Sequence, residues 1–324
     1  MHAIFLGTSS AAPTLERNTA SVVLGTTEGQ LMFDCGEGTQ RQMLYAKLNP
    51  IKLKAIFITH MHFDHIMGLV GLLMTMDLLN RSEPLTVIGP AGLKEMLDFF
   101  EQRLYMNHQY EIVYRRAMPG TVYGSGEVSV EAESAVHSTE SYSYRVTQRK
   151  FKRKFHPERA IALGIPQGPL WGRLQIGEEV VLNDKTIYPD QVCDPPAKPL
   201  SVGISGDTAY SENLVKFFKG VDLLIHEATF SAELQGRAAE MLHSTSIDAA
   251  HVAQQSGVGF LAIYHFSERY KDASMLEREA RTVFEKTVAA RDFMKIEILQ
   301  NSIKVEMMKL RRAGEDADNK VGSK

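Results

Sequence analysis

The chain has 324 residues, 44% of them hydrophobic, and a formal net charge of −3. That is enough apolar material for one large core or two small ones, and too acidic a balance for a protein that holds nucleic acid through its global field. Two cysteines, Cys35 and Cys193, argue against a disulfide framework and fit a reducing compartment. No apolar run approaches the about 20 residues that cross a bilayer, and the opening MHAIFLGTSSAAP reads as a first strand rather than a signal peptide. The expectation is a cytoplasmic protein with no membrane partner.

Short apolar runs bounded by Gly, Asn or Asp read as buried strands: Ala3–Leu6, Leu31–Phe33, Ala55–Ile58, Leu85–Ile88, Val128–Ala132, Ser201–Ile204, Leu223–Ile225 and Phe260–Ile263. Between them, Gly68–Leu79, Leu93–Leu104, Ile247–Gln254 and Ala273–Ala289 carry apolar residues at helical spacing. Strands mixed with helices predict a layered α/β domain, and hairpin-like strands in Glu111–Tyr144 predict a mixed rather than purely parallel sheet. One segment breaks the rhythm. Arg145–Arg159 packs seven Lys/Arg together with Phe151 and Phe155, and the stretch that follows is rich in Gly and Pro (GIPQGPLWG, then YPDQVCDPPAKP). Val146–Pro199 is therefore expected to be an insertion protruding from a catalytic domain of residues 1–310. The last residues, 311–324, have no apolar period and are expected to be a disordered tail.

The strongest chemical signal is Thr59-His60-Met61-His62-Phe63-Asp64-His65, between the strand Ala55–Ile58 and a helix starting near Ile66. Three imidazoles and a carboxylate so close together are hard to explain by packing, because an ionised Asp beside an apolar strand is costly unless paired or bound to metal. In an open α/β sheet such a loop lies at the carboxyl end of a strand, where ligands bind. Imidazole and carboxylate suit zinc, and a site with an open position activates water. Four side chains do not close two metal sites, so further ligands must follow later strands: His137, Asp207 in Ser-Gly-Asp-Thr, and His265 in Ile-Tyr-His-Phe-Ser.

HxHxDH followed by a distant His, Asp and His resembles the ligand order of the metallo-β-lactamase superfamily. The resemblance implies an αββα sandwich. It implies two Zn2+ per subunit, with His60, His62 and His137 on one, Asp64, His65 and His265 on the other, and Asp207 bridging. Zinc is the chemical default, although Mn2+ or Fe2+ suits the same donors. Two cations about 3.5–4 Å apart clamp the attacking and leaving oxygens of a phosphodiester displacement.

Further stretches are similar to the ribonuclease Z family: Gly7-Thr8-Ser9 with Pro13 and Arg17-Asn18-Thr19, then Phe33-Asp34-Cys35-Gly36-Glu37-Gly38-Thr39-Gln40, His226-Glu227-Ala228-Thr229, His243-Ser244-Thr245 and His265-Phe266-Ser267-Glu268-Arg269-Tyr270. Leu15 departs from the pattern, standing where many bacterial members carry Lys, so no RNA contact is carried over to it. The family's exosite arm lies between the third His and the bridging Asp, which is where Gly168-Pro169 falls. Lys150, Lys152, Arg153 and Lys154 precede it, and such cations would neutralise phosphates and make binding fall with salt. The resemblance implies precursor tRNA as substrate, 3′-trailer removal as the reaction and a homodimer whose arm presents RNA to the partner's active site.

Asp64 and His243 are the candidates for proton handling, with Glu227 orienting His243; the alternative for Glu227 and His243 is a structural ion pair. Asp34 and Thr39 are expected either to support the metal loop or to belong to a purely structural turn with Gly36 and Gly38, and His226 to be a core histidine. The rival readings are another hydrolase on this scaffold, such as a small phosphodiesterase without a basic arm; a non-catalytic RNA-binding module; and a nuclease with an added specificity domain.

Overall fold

The computed structural model describes residues 1–105, 108–150 and 152–311. Phe151 and residues 312–324 of the expected tail lie outside them. Two sheets face each other with helices on both outer sides, the expected αββα sandwich. The first has eight strands, in the order Ile303–Met307, Met294–Ile298, His2–Gly7, Ser21–Thr26, Gly29–Phe33, Leu53–Phe57, Leu85–Gly89 and Ile112–Arg116. It is antiparallel up to Gly29–Phe33 and parallel beyond. The second has seven, in the order Thr287–Ala289, Leu261–Tyr264, Leu223–Glu227, Leu200–Ile204, Tyr142–Gln148, Val128–Ser134 and Gly120–Ser125. Here the first four are parallel and the rest antiparallel.

Burial explains why some strands are legible in the sequence and others are not. Leu223–Glu227 and Leu261–Tyr264 are covered on both faces and buried throughout, so they read as unbroken apolar runs. Met294–Ile298 (MKIEI) alternates between buried and half-buried, the mark of a strand with one solvated face. Neither it nor its partner Ile303–Met307 was among the expected strands; Ser21–Thr26, buried along nearly its whole length, was missed as well, and burial does not account for that one. The expected helix Ala273–Ala289 stops at Arg281. β-Branched Thr287 and Val288 pair instead with Leu261 and Ala262 as an edge strand. The helix Ser246–Ser256 keeps its limits because Thr245 and Asp248 form a capping box at one end and Gly257 adopts φ 63° at the other.

Three apolar clusters follow from the layers. Phe5, Phe33, Phe57, Tyr144, Val202 and Ile225 fill the space between the sheets. Leu69, Leu72, Leu73 and Leu97 cover the first sheet, and Leu214, Val252, Ala253 and Leu276 the second. The insertion has a small core of its own, with Ala160, Ile165, Leu174, Val180, Ile187, Val192 and Cys193 under Phe155 and Trp171. It starts later than expected. Val146, Thr147 and Gln148 are ladder residues paired with Val202, Ser201 and Leu200, so the chain leaves the sheet only after Gln148.

Because Gln148 and Leu200 face each other across an antiparallel ladder, a short turn can replace the insertion. Excising residues 150–197 in favour of a Gly/Asn-rich turn is expected to leave a single cooperative unfolding transition by circular dichroism, with a midpoint no lower than that of the whole chain, since a shorter loop has less closure entropy to lose. Loss of the transition would mean that the insertion's core supports the sandwich.

Candidate metal centre

The carboxyl ends of the parallel strands of both sheets open at one edge of the sandwich, and the chemistry-bearing residues leave from them. Leu53–Phe57 leads into the loop of His60, His62, Asp64 and His65; Leu200–Ile204 leads to Asp207, Leu223–Glu227 to Thr229 and Leu261–Tyr264 to His265. His137 comes from the loop between Val128–Ser134 and Tyr142–Gln148. The two sheets are tied together here. Tyr142 N donates to Thr59 O (2.9 Å), the Tyr144 hydroxyl donates to Ile58 O (2.8 Å), and Ser10 N donates to Phe266 O (3.0 Å).

Three groups of donor atoms result, each closing within 4.8 Å: His60, His62, His137 and Asp207; Asp64, His65 and His265; and Asp207, His243 and His265. His62 Nδ1 lies 3.0 Å from His60 Nε2 and 3.2 Å from His137 Nε2, and His65 Nε2 lies 3.2 Å from His265 Nε2. Asp207 sits between the groups. Its Oδ2 is 3.6 Å from His60 Nε2 and 3.4 Å from His65 Nε2, and its Oδ1 is 3.4 Å from His265 Nε2. All seven residues expected as ligands are thus brought together.

The site fits divalent metal. Asp207 is almost fully buried and its Oδ1 accepts no hydrogen bond, an unmet demand for positive charge. Burial disfavours charge on both His65 and Asp64. At His65 the carboxylates of Asp207, Asp34 and Asp64 overcome it and raise the imidazole pKa well above its ordinary value; at Asp64, His65 and His265 overcome it and hold the carboxyl below the usual range. The ring nitrogens facing away from the centre are also engaged: His65 Nδ1 lies 2.8 Å from Asp34 Oδ2, His137 Nδ1 2.9 Å from Leu242 O, His60 Nδ1 3.0 Å from Thr59 Oγ1 and His265 Nδ1 2.9 Å from Thr229 Oγ1. Outward partners of this kind orient imidazole ligands.

Asp34 takes the Thr59 amide (2.7 Å) and hydroxyl (3.0 Å) as well as His65, and it adopts φ 57° to do so. Thr39 fits the structural-turn alternative: it opens the helix Thr39–Tyr45 after Gly38, and its buried hydroxyl makes no hydrogen bond to the metal loop. The loop is held by backbone instead, with Cys35 N donating to His65 O (2.7 Å) and Gly68 N to Cys35 O (2.9 Å). That approach demands glycine at position 36, where a Cβ would stand 2.2 Å from Asp64 O. Asp64 Oδ2 also accepts from Ala11 N (2.7 Å), and nothing in the sequence marks this main-chain contact, nor the one from Leu242.

His243 Nδ1 lies 2.8 Å from Glu227 Oε1 and 3.9 Å from Asp207 Oδ2. Its ring stacks on His265 with centroids 5.7 Å apart. Burial lowers its pKa, but Glu227 and Asp207 more than offset this, and the imidazole is pushed up to about 9. Glu227 is itself fixed by Thr208 N, Thr229 N and the Thr229 hydroxyl. His226 is fully buried against its own strand, with Nδ1 2.8 Å from Glu227 O, and belongs to none of the three donor groups.

On the insertion, Lys150, Lys152, Gly168 and Pro169 are exposed. Lys154 is mostly exposed, its Nζ 3.8 Å from Asp194 Oδ2. Arg153 does not join them. Its side chain is 9% exposed, Nε donates to Asp194 O (2.8 Å) and Nη2 bonds Asp190, so it braces the insertion from within.

A family model described as Anti-Pycsar protein Apyc1 matches residues 1–112, a stretch that ends before His137. The chain is 40% identical over 298 residues to a ribonuclease Z of Methanothermobacter thermautotrophicus, covering 92% of this chain and 97% of that one. Among solved structures, the short form of human tRNase Z (ELAC1) aligns with a TM-score of 0.68 at 25% identity, covering 92% of this chain and all of the other. The metallo-β-lactamase fold protein YhfI from Bacillus subtilis aligns with a TM-score of 0.66 at 18% identity over 91% of this chain and 97% of its own.

A pKa of about 9 for His243 lies above the about 6.5 of a free imidazole. The pair with Glu227 therefore stabilises the fold fully below pH about 6.5, and its contribution fades as the pH rises through about 9. Glu227→Gln is expected to move the His243 midpoint downward, read from its Cε1 proton by NMR. An unmoved midpoint would mean that the carboxylate does not hold the proton.

Proposed function

This chain belongs to the ribonuclease Z family, tRNA 3′-processing endoribonucleases of the metallo-β-lactamase fold, and from that membership we propose that it removes the 3′ trailer of precursor tRNA at a two-zinc centre, leaving a 3′-hydroxyl on the tRNA and a 5′-phosphate on the trailer. The observation that carries the reading is the His60, His62, His137 and Asp207 group beside the Asp64, His65 and His265 group, with Asp207 also 3.4 Å from His65 and His265 and His243 alongside. His60, His62 and His137 would hold one Zn2+ and Asp64, His65 and His265 the other, with Asp207 facing both groups. When bound, the cations activate water and neutralise charge on the phosphodiester.

The chain's own residues supply the rest. Glu227 fixes Nδ1 of His243, which leaves Nε2 to deliver a proton to the departing 3′ oxygen, and the carboxylate at 2.8 Å favours the protonated ring. Asp64 is the poorer candidate for proton transfer, since a carboxyl held below its usual range is a good ligand and a weak base. The insertion is the exosite arm, with Lys150, Lys152 and Lys154 meeting phosphates and the Gly168-Pro169 turn presented beside them. Family membership also supports a homodimer acting in the cytoplasm. Phe63 and Met67, exposed beside the metal loop, are the apolar side chains such a partner would cover. No helix among the described residues is long and apolar enough to cross a membrane.

Cleavage of a precursor tRNA carrying a short trailer, with metal content measured alongside, tests the reaction. His62→Ala is expected to lose metal and cleavage together. His243→Ala is expected to keep both zincs and lose at least about 100-fold in turnover, the scale of general acid catalysis. An intact precursor in the presence of a hydrolysed small phosphodiester would move the substrate to the small-phosphodiesterase class.

A second measurement isolates the arm. Replacing Lys150, Lys152 and Lys154 together by Ala is expected to weaken precursor tRNA binding, and to lower the slope of log affinity against log salt by roughly 2–3, while hydrolysis of bis(p-nitrophenyl) phosphate is unchanged. Arg153→Ala is expected to loosen the arm itself. Unchanged tRNA affinity in the triple variant would remove the arm from recognition.

A further inference from the structure

Thr229 Oγ1 stands at the junction of three groups. It is 2.6 Å from Glu227 Oε2, 2.9 Å from His265 Nδ1 and 3.3 Å from His243 Nδ1. A hydroxyl has one proton to give and lone pairs to receive others. Glu227 already takes the Thr208 amide on Oε1 and the Thr229 amide on Oε2, the setting of a carboxylate that only accepts, so the Thr229 proton goes to Oε2 along the shortest of its three contacts. Thr229 Oγ1 is then an acceptor toward His265. His265 must carry its proton on Nδ1, which leaves Nε2 as a bare lone pair facing Asp207 Oδ1 at 3.4 Å and Asp64 Oδ2 at 3.5 Å.

Thr59 repeats the arrangement in the other donor group. Its hydroxyl donates to Asp34 Oδ2 (3.0 Å) and lies 3.0 Å from His60 Nδ1, while His60 Nε2 faces Asp207 Oδ2 at 3.6 Å. In each case a buried carboxylate meets one histidine directly and reaches a second through a threonine. Asp34 meets His65 at 2.8 Å and reaches His60; Glu227 meets His243 at 2.8 Å and reaches His265.

We propose that Thr59 and Thr229 are positioning residues, each relaying a buried carboxylate to a histidine one hydroxyl away and fixing that histidine's tautomer with Nε2 free for Zn2+. The inference rests on the two-zinc reading above. It makes Glu227 the common anchor of the proton donor and of one metal ligand, so that His243 and His265, held parallel with stacked rings, share one support.

The test uses the full chain and Zn2+. Thr229→Val keeps the shape of the side chain and removes the relay, and Thr229→Ser keeps the hydroxyl. Against a graded chelator, Thr229→Val is expected to hold one of its two zinc equivalents about 10–100-fold more weakly, with Thr229→Ser returning to the unsubstituted curve and Thr59→Val weakening the other equivalent. Long-range 1H–15N imidazole spectra of the unsubstituted protein give a readout that requires no variant to fold: His60 and His265 are expected to show Nδ1–H with unprotonated Nε2. Unsubstituted zinc affinity in Thr229→Val, a Ser variant as weak as the Val variant, or Nε2–H at His265 would each overturn the relay. A chain that passes these tests yet leaves precursor tRNA intact would keep the relay and overturn the proposed reaction.

Discussion

Asp34, Asp64, Asp207 and Glu227 are removed from water within one small region at the mouth of the sandwich. Burying even one carboxylate costs several kcal/mol unless donors or opposite charge surround it, and most of the local structure answers that demand. Three histidines crowd Asp207, backbone amides of Thr59, Thr208, Thr229 and Ala11 point at the carboxylates, and threonine hydroxyls occupy lone pairs the amides do not reach. The close backbone packing around Gly36 belongs to the same solution, since it brings the turn that carries Asp34 against the loop that carries Asp64. Electrostatic preorganisation of this kind is set before any substrate arrives and needs no rearrangement during the reaction.

The two sheets contribute unequal parts of one centre. The first supplies most of the histidines from a single loop, and the second supplies Asp207, Glu227, Thr229 and His265 from the ends of three neighbouring parallel strands. Parallel strands direct their carboxyl ends the same way, so residues far apart in the chain converge without long loops. Rigid elements then hold them at fixed distances, as a site built for catalysis requires. The insertion stands apart from this. It has its own core and leaves the second sheet between two strands that already pair with each other. The insertion and the centre can therefore be altered separately, and an acidic chain still presents a local cluster of exposed lysines.

The HxHxDH loop was fully legible in the sequence, because its donor side chains are close neighbours on one strand-to-helix connection. His137, Asp207 and His265 were legible as strand-end residues, and the αββα architecture as apolar runs interleaved with helical periods. Half-exposed strands such as Met294–Ile298 escaped, since their alternating pattern resembles an ordinary surface segment, and the edge strand Thr287–Ala289 was absorbed into a helical period that local sequence alone does not break.

What the sequence determined by itself was the inventory: which side chains could bind metal, in what order, and that a basic Gly-Pro segment interrupts the second half. Tertiary structure decided which of those side chains act together. Arg153 turned inward while its lysine neighbours stayed exposed, Thr39 opened a helix instead of bonding the metal loop, and Thr59 and Thr229 came to lie between carboxylates and imidazoles. These assignments depend on main-chain amides and carbonyls such as Ala11 N and Leu242 O, which carry no residue-type signature, and on contacts between strands far apart in the chain, which exist only once both sheets have closed on their shared core.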